Sequence, residues 1–212
     1  MTWVNANLGR LWDLSVQHLW LSIVPVLVGL LIAIPIGWLA HRWKVGGSVL
    51  LSVAGLLYTL PSLALFAILP GLLGTSFLDP LNVAIVMTLY AVALLVRVVA
   101  DAFSQVSEVV LDAASATGYS RVQRFFAVEL PLAGPVVLAG VRVVSVGTVS
   151  LVTVGSLIGV SNLGSLFTEG FQRDFPTEIV TGIVLVIALA LILDGLWVLL
   201  GRVLLPWAWV RG

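Results

Sequence analysis

The chain has 212 residues, 60% of them apolar and only 9% charged, where an ordinary soluble domain carries roughly 25% charged residues. A domain of this length has too much surface for its volume to hide so many apolar side chains from water, so lipid is the solvent for much of that surface. The ten basic and ten acidic residues cancel and leave no nucleic-acid footprint, while the absence of Cys removes disulfides, thiolate metal sites and cysteine nucleophiles together.

Residues 1–18 hold Arg10 and Asp13 and make a poor cleaved signal, because the apolar run behind them continues to Ala40. They read as a segment ahead of the first span. Five stretches then reach the roughly 20 residues that a helix needs to cross hydrocarbon: 19–40, 49–69, 81–100, 135–157 and 179–200. Helix is the required conformation, since each unpaired backbone group in lipid costs several kcal/mol. Pro25, Gly29, Pro35 and Gly37 interrupt the first span, and Pro61 and Ser62 the second. Gly147, Gly155, Gly159 and Gly164 thin out the fourth and its exit, which either stops at Leu157 or runs on through Ile158 and Gly159 as a broken piece. Such positions permit close packing or broken helices, although they are also common in membrane helices at large.

Orientation follows from the basic residues. If the first span ends in the cytoplasm, then Arg42, Lys44, Arg97, Arg121, Arg124, Arg142, Arg202 and Arg211 lie inside, against only Arg10 and Arg173 outside. The outer segments are instead acidic, with Asp13, Asp79, Glu169, Asp174 and Glu178. The expectation is an all-α integral membrane protein with five spans, N-out and C-in. Its membrane domain covers 19–204 and a cytoplasmic tail covers 205–212.

The largest cytoplasmic feature is 101–131, which contains DAASATGYSRVQRFFAVELP at 112–131. Its spacing predicts a short helix with a small-residue face, a bend at Gly118, and a second helix with Val122, Phe125 and Phe126 on one stripe. Another protein could grip such a helix, or it could lie on the membrane surface. On the outer side, 160–176 carries Leu163, Leu166, Phe167 and Phe171 at helical spacing, which predicts a short helix over the bundle. Asp194 is the one acid well inside a span, and reads as a structural partner of Arg202 or of another subunit before a contact to cargo.

The 112–131 segment resembles the EAA loop of binding-protein-dependent ABC importer permeases. Asp112, Ala113, Ala114, Gly118, Leu130 and Pro131 stand in register with that pattern, Val128 takes the usual Ile position, and Asp112 replaces the usual Glu. YTLPSLALFAILPGLLG at 58–74 and the stretch 128–171 resemble the osmoprotectant branch of that family, the permeases for glycine betaine, choline and carnitine. The resemblance implies a type I importer fold whose coupling loop docks on an ATPase. It implies a second copy or a paralogous permease as partner, two cytoplasmic ATPase subunits that hold ATP and Mg, and an extracytoplasmic binding protein. It also places the chain in a prokaryotic inner or plasma membrane.

No inventory for covalent chemistry accompanies these features. His18 and His41 have no carboxylate at metal-site spacing and read as interfacial, neither lying inside a predicted span; HExxH and a GK[ST] nucleotide loop are absent. The expectation is therefore a transport subunit with no catalytic residue and no cofactor of its own. Tyr58 and Tyr90 could present aromatic faces to a quaternary ammonium, or serve as interface anchors. With Pro61, Ser62, Gly147 and Gly155 they are the candidate pathway residues. The cargo expectation is an osmoprotectant, with methionine or another small zwitterion as the alternative. A non-transporting membrane scaffold is the alternative of a different class.

Overall fold

The computed structural model describes residues 2–208, so Arg211 and the end of the expected tail lie outside the described residues. All regular structure among the described residues is helical: α1 Thr2–Ala6, α2 Leu8–Arg42, α3 Lys44–Thr59, α4 Ser62–Leu73, α5 Pro80–Ser104, α6 Glu108–Ala116, α7 Arg121–Arg124, α8 Leu130–Val152, α9 Ser165–Gln172 and α10 Pro176–Leu204. A π turn, Phe125–Glu129, joins α7 to α8, and 3₁₀ turns cover Thr153–Ile158 and Pro206–Ala208.

The bundle is built around α5, which packs on α2, α3, α4 and α8. Its start follows from sequence: the Asp79 carboxylate accepts from the Leu81 amide, and Pro80 occupies the first turn, where no N–H is needed. The α2 face against it is a stripe of small residues four apart. A Cβ at Gly29 would sit 2.6 Å from the Ala91 Cβ, and one at Gly37 would sit 2.7 Å from Val99, with fully buried Ala33 between them. Without side chains there, the two backbones approach closely enough for dispersion to hold them.

Several sequence expectations change here. Pro25, Gly29, Pro35 and Gly37 do not interrupt the first span; α2 continues through all four for 35 residues. The glycines serve packing, and the helix carries its prolines without breaking. At 1.5 Å per residue α2 is about 50 Å long, well beyond a hydrocarbon core of roughly 30 Å. It also absorbs most of the segment before residue 19, so His18 lies within a helix and is fully buried instead of interfacial.

The second stretch breaks. α3 and α4 meet at 97°, with Leu60 and Pro61 both extended. Proline disfavours helical geometry in the residue before it and offers no N–H of its own, which accounts for the break at that point. Among the described residues four helical runs are long and apolar enough to cross a membrane, or five if the bent pair counts as one span. The fourth stretch begins earlier than composition suggested, with the helical run extending from Arg121 to Ile158, and Gly159 at φ +86° ends it. α9 forms as expected and buries Leu166 behind buried Leu163, but Phe171 points outward and is 82% exposed.

Candidate functional site

At one end of the bundle, α6 stands off from everything else. None of its residues is buried, and it leans mainly on α7 and the π turn. A Schellman closure shapes its end: the Tyr119 amide donates to the Ala114 carbonyl at 3.1 Å, and the Gly118 amide to the Ser115 carbonyl at 3.1 Å. That motif places Gly118 in the left-handed region, φ +92°, where a side chain would be strained. The chain then restarts on a capping box, with Ser120 and Gln123 each bonding the other's backbone amide.

The motif residues therefore divide. Asp112, Ala113 and Gly118 are exposed on this hook and Ala114 is half-buried, whereas Val128, Leu130 and Pro131 sit half-buried where the π turn enters α8. Pro131 cannot donate to the carbonyl four residues back, and the i→i−5 bond from the Leu130 amide to the Phe125 carbonyl marks the wider turn just before it. Around the hook, Val109, Val122 and Phe126 are 76%, 66% and 64% exposed. A groove of about 580 Å³ runs past Gly118, Tyr119, Val122 and Phe126.

The π turn aims Glu129 into the protein, where it is 3% exposed. Its carboxylate accepts from Trp38 Nε1 at 2.8 Å, Arg42 Nη2 at 3.0 Å and Arg124 Nε at 2.9 Å. Arg124 also donates through Nη1 to the Ser115 hydroxyl of α6 at 2.9 Å. The Arg42 guanidinium lies 4.5 Å from the centre of the Trp38 ring, a cation–π contact.

The opposite end of α2 enters a second charge cluster. Glu178, fully buried, accepts from Arg10 at 3.0 Å and from Arg173 at 2.6 Å, and the same two arginines pair with Glu169. The cluster ties α2, α9 and the first turn of α10 into a ring. Nearby, His18 donates from Nε2 to the Val149 carbonyl at 2.9 Å and accepts from the Leu163 amide at Nδ1, 3.3 Å. These bonds suit a neutral ring with its proton on Nε2.

Asp194 does not use Arg202 as its carboxylate partner; both its oxygens are engaged by Arg142 of α8, at 2.7 and 2.8 Å in a parallel fork. Tyr58 and Tyr90 meet edge to face, ring centres 5.5 Å apart, and the Tyr90 hydroxyl donates to the Leu60 carbonyl at the α3–α4 break. Pro61 and Ser62 lie beside them in that break. The other two pathway candidates are elsewhere. Gly155 is buried, with a built Cβ 3.2 Å from Val83, whereas Gly147 faces open space on α8. Among the described residues no group of three or more His, Cys, Asp or Glu side chains could hold a metal ion. Sequence reasoning noticed Glu129, Glu178 and His18 only as charges or polar punctuation, because their partners lie far away in the chain.

Comparison with known proteins gives a consistent picture. Residues 11–205 match the family described as binding-protein-dependent transport system inner membrane component. The chain is 29% identical to the choline transport system permease protein OpuBB of Bacillus subtilis (strain 168), over 96% of this chain and 92% of that protein. It is 32% identical to the osmoprotectant import permease protein OsmW of Salmonella typhimurium, over 94% of each. Among solved structures, a chain from the inward-facing MetNI methionine ABC transporter superposes with a TM-score of 0.80 at 19% identity, covering 92% of this chain and 95% of that one.

Proposed function

The chain belongs to the family of binding-protein-dependent transport system inner membrane components, and from that premise we propose that it is the permease subunit of an ATP-driven importer for a small osmoprotectant such as glycine betaine, choline or carnitine. It is a multi-pass protein of the inner or plasma membrane. The observation that carries the cargo class is the near full-length likeness to choline and osmoprotectant permeases. Fold likeness to a methionine transporter at 19% identity speaks for the architecture alone.

In this reading the chain has five spans in a type I importer arrangement, the bent α3–α4 pair counting as one, with N-out and C-in. It pairs with a second copy or a paralogue and takes cargo from an extracytoplasmic binding protein. Two ATPase subunits hold ATP and Mg, and the chain itself performs no covalent step. The α6 hook seats in a groove on an ATPase: Asp112, Ala113, Ala114 and Gly118 keep its surface small, while Val128, Leu130 and Pro131 anchor its base. Gating is assigned to the α3–α4 break, where Tyr58, Pro61, Ser62 and Tyr90 gather. Gly147 borders the pathway from the open face of α8, and Gly155 fixes the packing behind it. Aromatic faces at the break suit a quaternary ammonium in transit.

The test is uptake by proteoliposomes holding the whole complex, with labelled glycine betaine, choline and carnitine against methionine and a polar amino acid. Saturable uptake of an osmoprotectant that needs both ATP and the binding protein is expected. Transport of methionine alone would remove the cargo assignment and leave the permease assignment standing. Topology has its own check, because the chain has no Cys. Single cysteines labelled with an impermeant reagent on intact cells should react at residue 170 and stay silent at residue 118; the reverse pattern would invert the map.

A further inference from the structure

The geometry points to Glu129 as a positioning residue that couples the α6 hook to α2, so that displacing α6 moves α2 and, with it, the helix over the opposite end of the bundle. The inference rests on the reading of α6 as an ATPase docking element.

Mechanical isolation of α6 comes first in the argument. With no buried residue and α7 and the π turn as its main neighbours, α6 has few ways to move the bundle. Two backbone routes leave α6: the link 105–107 back to α5, and the turn at Gly118, a flexible residue type at a poor place to transmit force; neither leads to α2. The side-chain route is shorter and stiffer. Ser115 on α6 accepts from Arg124, Arg124 donates to Glu129, and Glu129 accepts from Arg42 and Trp38 on α2. Burial of the carboxylate keeps water from competing for these charge-assisted bonds. Aromatic packing locks the same junction, with Phe125 edge-on to Trp38 at 5.2 Å and stacked on Phe103 at 5.8 Å.

What Glu129 grips is the end of a rod. Arg42 and Arg10 lie roughly 48 Å apart along one unbroken helix, at 1.5 Å per residue. Arg10 bonds Glu169, which belongs to α9. A displacement at Ser115 therefore reaches α9 through one carboxylate and one helix. The π turn supports this assignment, since such turns often mark functional positions and here one sets the direction of Glu129.

The experiment uses the assembled complex in proteoliposomes, with the ATPase and a labelled osmoprotectant presented by its binding protein. Glu129→Gln keeps the size and an acceptor oxygen for the two guanidiniums, which share Oε1, but it removes the charge and turns an amide donor toward Trp38 Nε1 at the Oε2 position. We expect the complex to assemble while the stimulation of ATP hydrolysis by loaded binding protein falls at least tenfold, with uptake falling in step. Glu129→Asp, which keeps the charge, should recover part of both. Arg124→Gln should lose a similar amount, and the double variant should lose no more than either alone, because the residues act in series. Stimulation within twofold of wild type in assembled Glu129→Gln, or additive losses in the double variant, would overturn the proposal. If Glu129→Gln does not assemble, Trp38→Phe decides: it removes one donor, and unchanged stimulation there would equally overturn it. Failure of the wild-type chain to bind an ATPase at all has a different signature, and would take down the docking reading together with this one.

Discussion

The two ends of α2 hold charge in different ways. Around Glu178 the cluster is a closed ring, two carboxylates and two guanidiniums each bonded to both members of the other kind, with no net charge. Around Glu129 it is a star, one carboxylate serving two guanidiniums and an indole, and one arm runs on to Ser115 on an exposed helix. A ring with every charge matched resists change and clasps what it joins. A star with a surplus cation and an open arm can pass a movement outward. In the proposed N-out topology the ring also accounts for the two arginines that break the positive-inside pattern: Arg10 and Arg173 are the ones paired with Glu169 and Glu178.

The sharpest way to break this comparison is Glu178→Ala. Removing a buried partner of an ion pair costs 3–5 kcal/mol in general. Arg10 and Arg173 are 35% and 53% exposed and can turn to solvent, which reduces the expectation to about 2–3 kcal/mol. A drop of several degrees in the melting temperature of the detergent-solubilised protein is expected, with the uptake-to-hydrolysis ratio of surviving complexes preserved. Lost coupling at unchanged stability would mean that the ring, too, transmits.

Gly118→Ala probes the open arm from its far side. The left-handed backbone there costs an L-residue roughly 1–2 kcal/mol, confined to the hook. Uptake should fall several-fold while the melting temperature of the bundle stays within a degree or two; Gly118→Trp should abolish coupling. Wild-type uptake by an assembled Gly118→Trp complex would refute docking through this turn.

Arg173→Ala should be milder than its central position suggests. Glu178 and Glu169 each keep Arg10, so a loss below about 1 kcal/mol is expected. Thermal melting at low and high salt checks it, since the exposed part of the interaction is screened. Smallest of all is Ser115→Ala. It changes stability by no more than about 0.5 kcal/mol, as exposed substitutions do, yet should reduce stimulated hydrolysis measurably by cutting the arm to Arg124. No change in stimulation would shift the load of transmission to the backbone.

How much of this was legible in the sequence depends on the range of the interaction. Local chemistry was legible: the bend read at Gly118 ends α6, and its φ of +92° is the reason. The interruption of the second stretch at Pro61 and Ser62 was legible, but its 97° angle was not, because an apolar run has the same composition however sharply it bends. Two readings missed partners that lie far away in the chain. Residues 1–18 read as a segment ahead of the first span, although α2 starts at Leu8 and Arg10 is neutralised by residues of α9 and α10. Asp194 read as a structural partner of Arg202 or of another subunit, while the arginine it pairs with stands on α8. Glu129 was one charge among several, since Trp38 and Arg42 lie 91 and 87 residues away in the chain. Hydropathy places helices in the bilayer; it carries no information about which helix faces which.

The fork between Arg142 and Asp194 has a consequence for how the chain is made. Each residue lies on a helix that is otherwise suited to lipid, and each would be a costly lone charge there. Arg142 emerges from the ribosome 52 residues before its partner. At about 5–20 residues per second it waits roughly 3–10 s for Asp194. During that interval α8 is a poor substrate for release into the bilayer, and is best retained by the insertion machinery until α10 arrives.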